Sequence, residues 1–450
     1  MSACYLAVII SSTGVPLFIR TKGDVPQLSF PVVGSLNGVH WFTENAKASL
    51  LSCTSKNVRI VWKNFHDCLT LILVSTNDSP TDTHCNYLST LIFNAMVLLI
   101  GLPDLLRIED PENLKRDLRC CYPLIDLLLG NQFTMSPLTQ TVEVLVDHEH
   151  KSLMDGLGSL SEAIESNYSC LIVNHQIIHA TESWWQLDVI DSNLLTLLPS
   201  SLPPTQCTDV PVYLPVASNT SPHRLLVFRL YDSVSLLVLC DTEPSLDVAQ
   251  KIVVQIWLPL RDKIISLPLL VPRAFPLSVT MDSSVIGFCF VNLLTRRSLL
   301  SVLSYETQER NPALLSKGYQ GALDDNKKRD YLIQFYKTVA DNLLPIHAPA
   351  TASDKNTTPT HAPPTNEDND ELGGVKNNNN NDSYNLVPLT KDRIPHKIIE
   401  TYSCTKGFKG YAINNFQYNI FLLFDVNTPT YALREISHDT LQSLVAKGVL

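Results

Sequence analysis

YLAVIISSTGVPLFIR, residues Tyr5–Arg20, sets two short apolar runs on either side of a Ser-Ser-Thr-Gly turn. β-Branched and aromatic side chains fill both runs, and the turn ends on Gly14, so the stretch predicts a hairpin of Tyr5–Ile10 with Val15–Arg20. The pattern returns twice, at roughly 140-residue spacing, too long for a solenoid repeat but suited to repeated small domains. Ser169–Val173 and Ile177–Thr181 flank Asn174–Gln176, and Val285–Leu294 and Ser298–Leu303 flank Thr295–Arg297. A helical stretch follows each hairpin: Phe30–Asn45, Ser183–Leu198 and Asn326–Leu344.

After its helix the first copy continues with strands near Ala48–Cys53, Val58–Phe65 and Leu69–Ser75, then helices Thr83–Ile100 and Pro111–Gly130. The order β-β-α-β-β-β-α-α predicts an antiparallel sheet with helices packed on it. The second copy offers strands Val210–Val216, Arg224–Tyr231 and Ser235–Cys240, and a helix from Leu246 to Ile265 punctured by Pro259. The third offers Ile398–Cys404, Tyr418–Val426 and a last helix, Asp439–Lys447. From about Ala348 to Tyr384 the chain is rich in Pro, Thr, Asn and acids, too poor in apolar side chains to fold, and reads as a disordered insertion. The expected fold is therefore α/β in the α+β sense. Three tandem domains, residues 1–132, 133–267 and 268–450, each carry an antiparallel five-stranded sheet with flanking helices, the third interrupted at about 348–385.

Composition narrows the function. Hydrophobic residues make up 45% and charged residues 17%, so some apolar surface is expected to meet a partner. A net charge of −10 argues against nucleic acid as that partner. Cations gather at Lys115, Arg116 and Arg119 and at Lys327, Lys328 and Arg329, which leaves contact with an anionic membrane or a GTPase open. The 11 cysteines show no CxxC spacing and read as reduced thiols in a cytosolic chain without a signal peptide. Leu88–Leu102, the most apolar window, is interrupted by Asn94 and reads as a buried core helix.

The chain carries no recognisable catalytic apparatus. It lacks G-x-S-x-G and both glycine-rich phosphate loops. His66-Asp67-Cys68 is three consecutive residues of a hairpin connection, which cannot converge as a triad. His148-Glu149-His150 lacks the i, i+4 spacing of a helical metal pair. Asp368-Asn-Asp-Glu-Leu-Gly starts like a calcium loop but places Leu372 at a ligand position. Neither a cofactor nor a metal is expected, and the chain is read as a regulatory subunit rather than an enzyme.

The helix Phe30–Asn45 is the candidate partner surface. Gly34 and Gly38 lie four apart on one face, each costing about 1 kcal/mol against Ala in a helix. Phe30, Asn37 and Trp41 share that stripe, while Val32, Leu36 and Val39 form a second apolar stripe able to face the domain's own sheet. Two readings stand side by side: the notch admits a partner helix, or it admits the domain's own strands or Trp62. Trp184 and Trp185 open the matching helix of the second domain and read as core or domain-interface packing.

Several stretches resemble one family. They are Gly14-Val-Pro-Leu-Phe, Gly34-Ser-Leu-Asn-Gly-Val-His, Val61-Trp-Lys-Asn-Phe-His-Asp, Asn94-Ala-Met-Val-Leu-Leu-Ile-Gly-Leu, Leu124-Ile-Asp-Leu-Leu-Leu-Gly, Trp184-Trp185, Pro211-Val-Tyr-Leu-Pro and Pro222-His-Arg-Leu-Leu, with Tyr331-Leu-Ile-Gln-Phe-Tyr further on. The chain resembles the tri-longin subunits of Rab-type guanine-nucleotide exchange factors, in their Fuzzy branch. The resemblance implies three longin domains and a heterodimer with an Inturned-like protein through the first helix. It also implies a ciliogenesis and planar cell polarity complex with a Fritz-like protein and small GTPases, in the cytoplasm at the cilium base and cytoskeleton. Exchange activity of the pair is the expectation, and a scaffold of the same complex without exchange is the alternative.

Overall fold

The computed structural model describes residues 4–23, 28–56, 58–76, 82–130, 135–147, 151–271, 273–275, 279–303, 325–343, 398–404, 407–415 and 417–450. The predicted insertion, the His148 triplet and the Asp368 loop lie outside them.

In the first domain the hairpin of β1 (Cys4–Ile10) and β2 (Pro16–Lys22) leads into α1 (Phe30–Asn45), then β3 (Ser52–Thr54), β4 (Val58–Phe65) and β5 (Leu69–Thr76). Helices α2 (Asp82–Ile100), α3 (Leu102–Leu106), α4 (Pro111–Asp117) and α5 (Tyr122–Gly130) follow. The sheet is antiparallel in the order β2-β1-β5-β4-β3. Because alternate strand residues face opposite sides, β1 serves two cores. Tyr5, Ala7 and Ile9 join Trp62, Ile72 and Val74 against Val33 of α1. Leu6, Val8 and Ile10 join the core built with α2 and α5. Helix α2 has the length and apolar character of a bilayer span, yet 61% of its apolar window is buried in this core.

The single helix expected over Pro111–Gly130 is divided. Pro123 has no N–H to bond back to residue 119, so a 3₁₀ turn, Leu118–Cys121, separates α4 from α5. Asp110 starts α4 by accepting from Glu112 N at 3.0 Å and Asn113 N at 3.4 Å. Asp110→Ala is expected to lower stability by about 1 kcal/mol, read as a small fall in thermal midpoint.

The connection to the second domain holds α6 (Ser136–Thr139), β6 (Val142–Glu143) and α7 (Lys151–Ile164). Then come β7 (Tyr168–Val173), β8 (Gln176–Ala180), α8 (Glu182–Trp185), α9 (Val189–Ser201), β9 (Cys207–Leu214), β10 (Ser218–Tyr231), β11 (Val234–Cys240), α10 (Leu246–Trp257) and α11 (Arg261–Ser266). The sheet order is β8-β7-β11-β10-β9. The helix expected over Ser183–Leu198 breaks after Trp185 and restarts where Asp188 caps Ile190 N at 2.8 Å.

The third domain holds β12 (Val285–Asn292), β13 (Arg297–Val302), α12 (Asp325–Leu343), β14 (Ile398–Cys404), β15 (Phe408–Asn415), β16 (Tyr418–Asp425) and α13 (Leu433–Ala446). Its sheet has six strands, not the expected five, in the order β14-β15-β16-β12-β13-β6. The sixth strand comes from the connection: β6 pairs in parallel with β13, Val142 opposite Arg297 and Glu143 opposite Ser298. Leu332, Phe335, Tyr336 and Val339 of α12 cover one face of this sheet, and Leu433, Leu441 and Leu444 of α13 join the core on the other.

That connection ties the domains together. Val142 N and Val144 N donate to Arg296 O and Ser298 O, while Leu145 N donates to Ile177 O of β8. The strand therefore covers an edge of the second sheet and an edge of the third, where open edges would otherwise be free to pair with other chains. Glu143, 1% exposed, sits at the crossing. Its carboxylate accepts from Met135 N at 3.0 Å and Gln176 Nε2 at 2.8 Å, with His175 Nε2 at 3.8 Å and an Arg329 guanidinium nitrogen at 3.7 Å. Burial alone would raise its pKa, but His175, Arg329 and the Met135 N–H outweigh burial and hold it at about 2. Nearby, the Arg297 guanidinium of the third domain stacks 3.7 Å over the Trp185 ring of the second, and Trp184 is fully buried.

Candidate partner interface

Helix α1 runs from Phe30 to Asn45 and carries Pro31 in its first turn, where the missing N–H costs nothing. Residues 33 and 40 lie seven apart, two helical turns, and face the sheet: Val33 is 3% exposed and His40 is 7% exposed. Leu36 is half-buried between them, and its carbonyl accepts from Trp62 Nε1 at 3.2 Å. His40 Nε2 lies 3.7 Å from a Glu44 carboxylate oxygen one turn on.

The inward stripe therefore differs from the expected one. Val32 and Val39 point outward, 41% and 52% exposed, because they lie about 100° off the line joining Val33 to His40. Gly34 and Gly38 also face outward, and a Cβ on either would meet nothing within 4 Å. The reading in which these glycines admit the domain's own strands or Trp62 is thereby excluded. Trp41 is 53% exposed and Phe42 is 74% exposed, so two aromatic rings stand in solvent beside the glycine stripe.

Asn37 departs from that stripe. It is half-buried and turned toward the β1–β2 turn, with its Nδ2 only 2.6 Å from where a Cβ on Gly14 would lie. Gly14 adopts φ +71°, so a side chain there would meet both backbone strain and Asn37. Phe30 is the first residue of α1, but its side chain lies outside the described part. Phe42 was not singled out from sequence, although it stands four residues past Gly38 and so on the same stripe. Gly34, Gly38, Trp41 and Phe42, bordered by Val32 and Val39, form an apolar outward face with a shallow floor.

The remaining motifs do not assemble chemistry. His66 and Asp67 both take φ +54°, the backbone of a two-residue hairpin turn, and Cys68 follows at the head of β5. Among the described residues no group of three His, Cys, Asp or Glu could hold a metal ion. All eleven thiols are free. Of the two cation clusters, Arg116 and Arg119 on the α4 side are exposed. On α12, Lys328 is buried and donates to Leu303 O at 2.8 Å, and Arg329 turns toward Glu143. Those two cations hold α12 in place, while Lys327 of the same cluster is exposed.

Three sheets in tandem, each opening with a hairpin and each packed with helices, define a tri-longin protein. The models that match carry that description: "First Longin domain of FUZ, MON1 and HPS1" over residues 5–128, the second longin domain of the same proteins over 164–258, and the third over 284–447. Over 441 residues the chain is 34% identical to "Protein fuzzy homolog" of Xenopus tropicalis, covering 98% of this chain and 97% of that protein. It is 36% identical to the Homo sapiens "Protein fuzzy homolog" over 346 residues, covering 76% and 80% of the two chains. The Mus musculus protein of that name is 34% identical over 368 residues, covering 80% and 86%. The chain belongs to the Fuzzy family of tri-longin proteins.

Proposed function

We propose that this chain is a non-catalytic subunit of a ciliogenesis and planar cell polarity complex, in which it pairs with an Inturned-like protein. The pair acts as a guanine-nucleotide exchange factor for a Rab-type GTPase in ciliary trafficking. The observation that carries this reading is the outward face of α1, where two glycines with empty space above them lie beside exposed Trp41 and Phe42. A helix of a longin-like partner could approach the backbone closely over the glycines and bury both rings. Burying large apolar side chains in this way is worth about 1.5–3 kcal/mol each, enough to repay glycines that weaken the helix.

Exchange by such a pair needs no proton transfer. A surface that binds the nucleotide-free GTPase better than the GDP form loosens GDP by that difference in affinity, and the nucleotide belongs to the GTPase. A Fritz-like protein and a further small GTPase complete the complex, in the cytoplasm at the cilium base and cytoskeleton. The cations beside α4, Arg116 and Arg119 with Lys115, are the proposed contact for an anionic membrane or GTPase surface. The test is GDP release from a panel of Rab proteins with the purified heterodimer. Accelerated release from one or a few Rabs is expected, and release no faster than with buffer across the panel would reduce the assembly to a scaffold.

A further inference from the structure

The second domain contains a half-open cleft of about 270 Å³, between α10–α11 and the neighbouring ends of β9 and β10. It is remote in sequence from α1 and plays no part in the reading above. Phe228, Val253, Trp257 and Ile264 wall it, and all four are buried. Val254 and Leu258 also line it, yet they are 48% and 64% exposed, so the apolar lining runs out of the cleft onto the surface.

The polar groups of the lining are one-sided. Arg229 gives its terminal nitrogen to Pro199 O, Leu202 O and Pro203 O at 2.8, 3.3 and 3.3 Å, which fixes the guanidinium, while its Nε is buried without an acceptor. Trp257 is 2% exposed and its Nε1 likewise lacks an acceptor. Arg261 is exposed and enters no ion pair with any described carboxylate. The side-chain acceptor of Gln250, Oε1, already takes the Cys207 thiol at 3.6 Å. Donors are thus in surplus, two of them arginine, in a chain whose net charge is −10.

The geometry points to a docking site for a segment of a partner protein that presents one bulky apolar side chain next to a carboxylate. The apolar side chain fills the cleft between Phe228, Val253 and Trp257. The carboxylate meets Arg261, whose guanidinium favours paired acceptor oxygens, and the fixed positive charge of Arg229 in the lining adds to the attraction. A free small molecule is the less suitable occupant on two grounds. The volume falls below the ~300–1,000 Å³ of ordinary ligand pockets, and a ligand confined to it would leave Val254 and Leu258 wet. A protein surface covers that rim and excludes water around the anchor, as energetically dominant contacts require.

Cys207, half-buried in the lining, gives a reporter inside the cleft. Fluorescein-labelled hexapeptides Asp-Glu-Phe-Leu-Asp-Asp, Lys-Lys-Phe-Leu-Lys-Lys and Asp-Glu-Ser-Ser-Asp-Asp are titrated into the full chain by anisotropy. The alkylation rate of Cys207 is followed in parallel by mass spectrometry. The acidic apolar peptide is expected to bind about 10-fold more tightly than either control and to slow alkylation of Cys207. Arg261→Glu, an exposed position whose melting temperature should match the wild type, is expected to lose that preference and to favour the lysine peptide. An unchanged preference in Arg261→Glu, an unprotected Cys207, or wild-type binding that ignores peptide charge would each overturn the assignment. Equal protection by free 3-phenylpropionate at matched occupancy would also overturn it, in favour of a small-molecule site.

Discussion

Glu143→Ala is expected to destabilise the folded chain by about 3–5 kcal/mol, because it removes the carboxylate from a buried charged cluster and leaves the donors around it without that acceptor. Met135 N and the Gln176 amide lose their acceptor, and Arg329 and His175 lose the carboxylate placed beside them at the crossing of the domains. Glu143→Gln retains the shape and one acceptor, so its loss should be smaller. The pH dependence carries a definite sign. The folded carboxyl sits at about 2, below its ordinary 4.5, so its stabilisation is fully present above about pH 4.5 and is lost as the pH falls toward 2. Urea denaturation at pH 7 and at pH 3 checks this. The gap between wild type and Glu143→Gln should narrow at the lower pH, and an equal gap at both would mean that the charge contributes nothing.

Gly38→Leu is expected to leave the chain folded and to weaken binding of the longin-like partner roughly 5- to 150-fold, the equivalent of about 1–3 kcal/mol of overpacking. Folding should survive because a Cβ at this position meets nothing within 4 Å, and because Leu is a better helix former than Gly. Binding should not, since the added side chain stands where the partner backbone is proposed to approach. Circular dichroism beside a pull-down separates the two effects. A folded variant that keeps full affinity would remove the glycine stripe from the interface, and Trp41→Ala with Phe42→Ala would then show whether the aromatic rings act without it.

Much of this fold could be read from the residues. Strands β1, β5, β11 and β12 are mostly apolar runs and β4 mixes apolar with polar residues, all with turns at their ends, and the structure bounds them within one or two residues of expectation. Helix breaks were harder, because α4 and α5 share one helical composition and only Pro123 separates them. β6 was illegible for a different reason. Two residues carry no periodicity, and their pairing with β13 depends on how three domains meet rather than on local preference. Lys151–Ile164 did carry a signal, in Leu153, Leu157, Leu160 and Ile164 at four- and three-residue steps.

Helix α1 was half legible. Its two glycines and Trp41 announced an unusual surface, but apolar residues on every side left the inward stripe undetermined. What decides it is His40, a polar residue that the sheet buries beside Val33, and the Trp62 indole bonded to Leu36 O. No pattern of hydrophobicity alone selects a buried histidine over an exposed valine. Asn37 was misjudged in the same way, because its position depends on Gly14, in a turn that sequence spacing does not bring near.

The borrowed strand β6 also sets an order of events on the ribosome. Residues 4–130 carry every strand and helix of the first sheet and can close on themselves as they emerge. Val142 and Glu143 leave the exit tunnel next, yet the strand they pair with and the arginine that faces Glu143 are still untranslated. β14, β15 and β16, which complete the sheet that β6 edges, are made last of all. A nascent chain therefore leaves the β13 side of this connection unpaired until residues 296–329 emerge, and that is the interval in which a chaperone or an early-arriving partner has access. A chain stopped before β14 would lack three of the six strands of the sheet that β6 edges, so its damage would reach back to the connection in the middle of the protein.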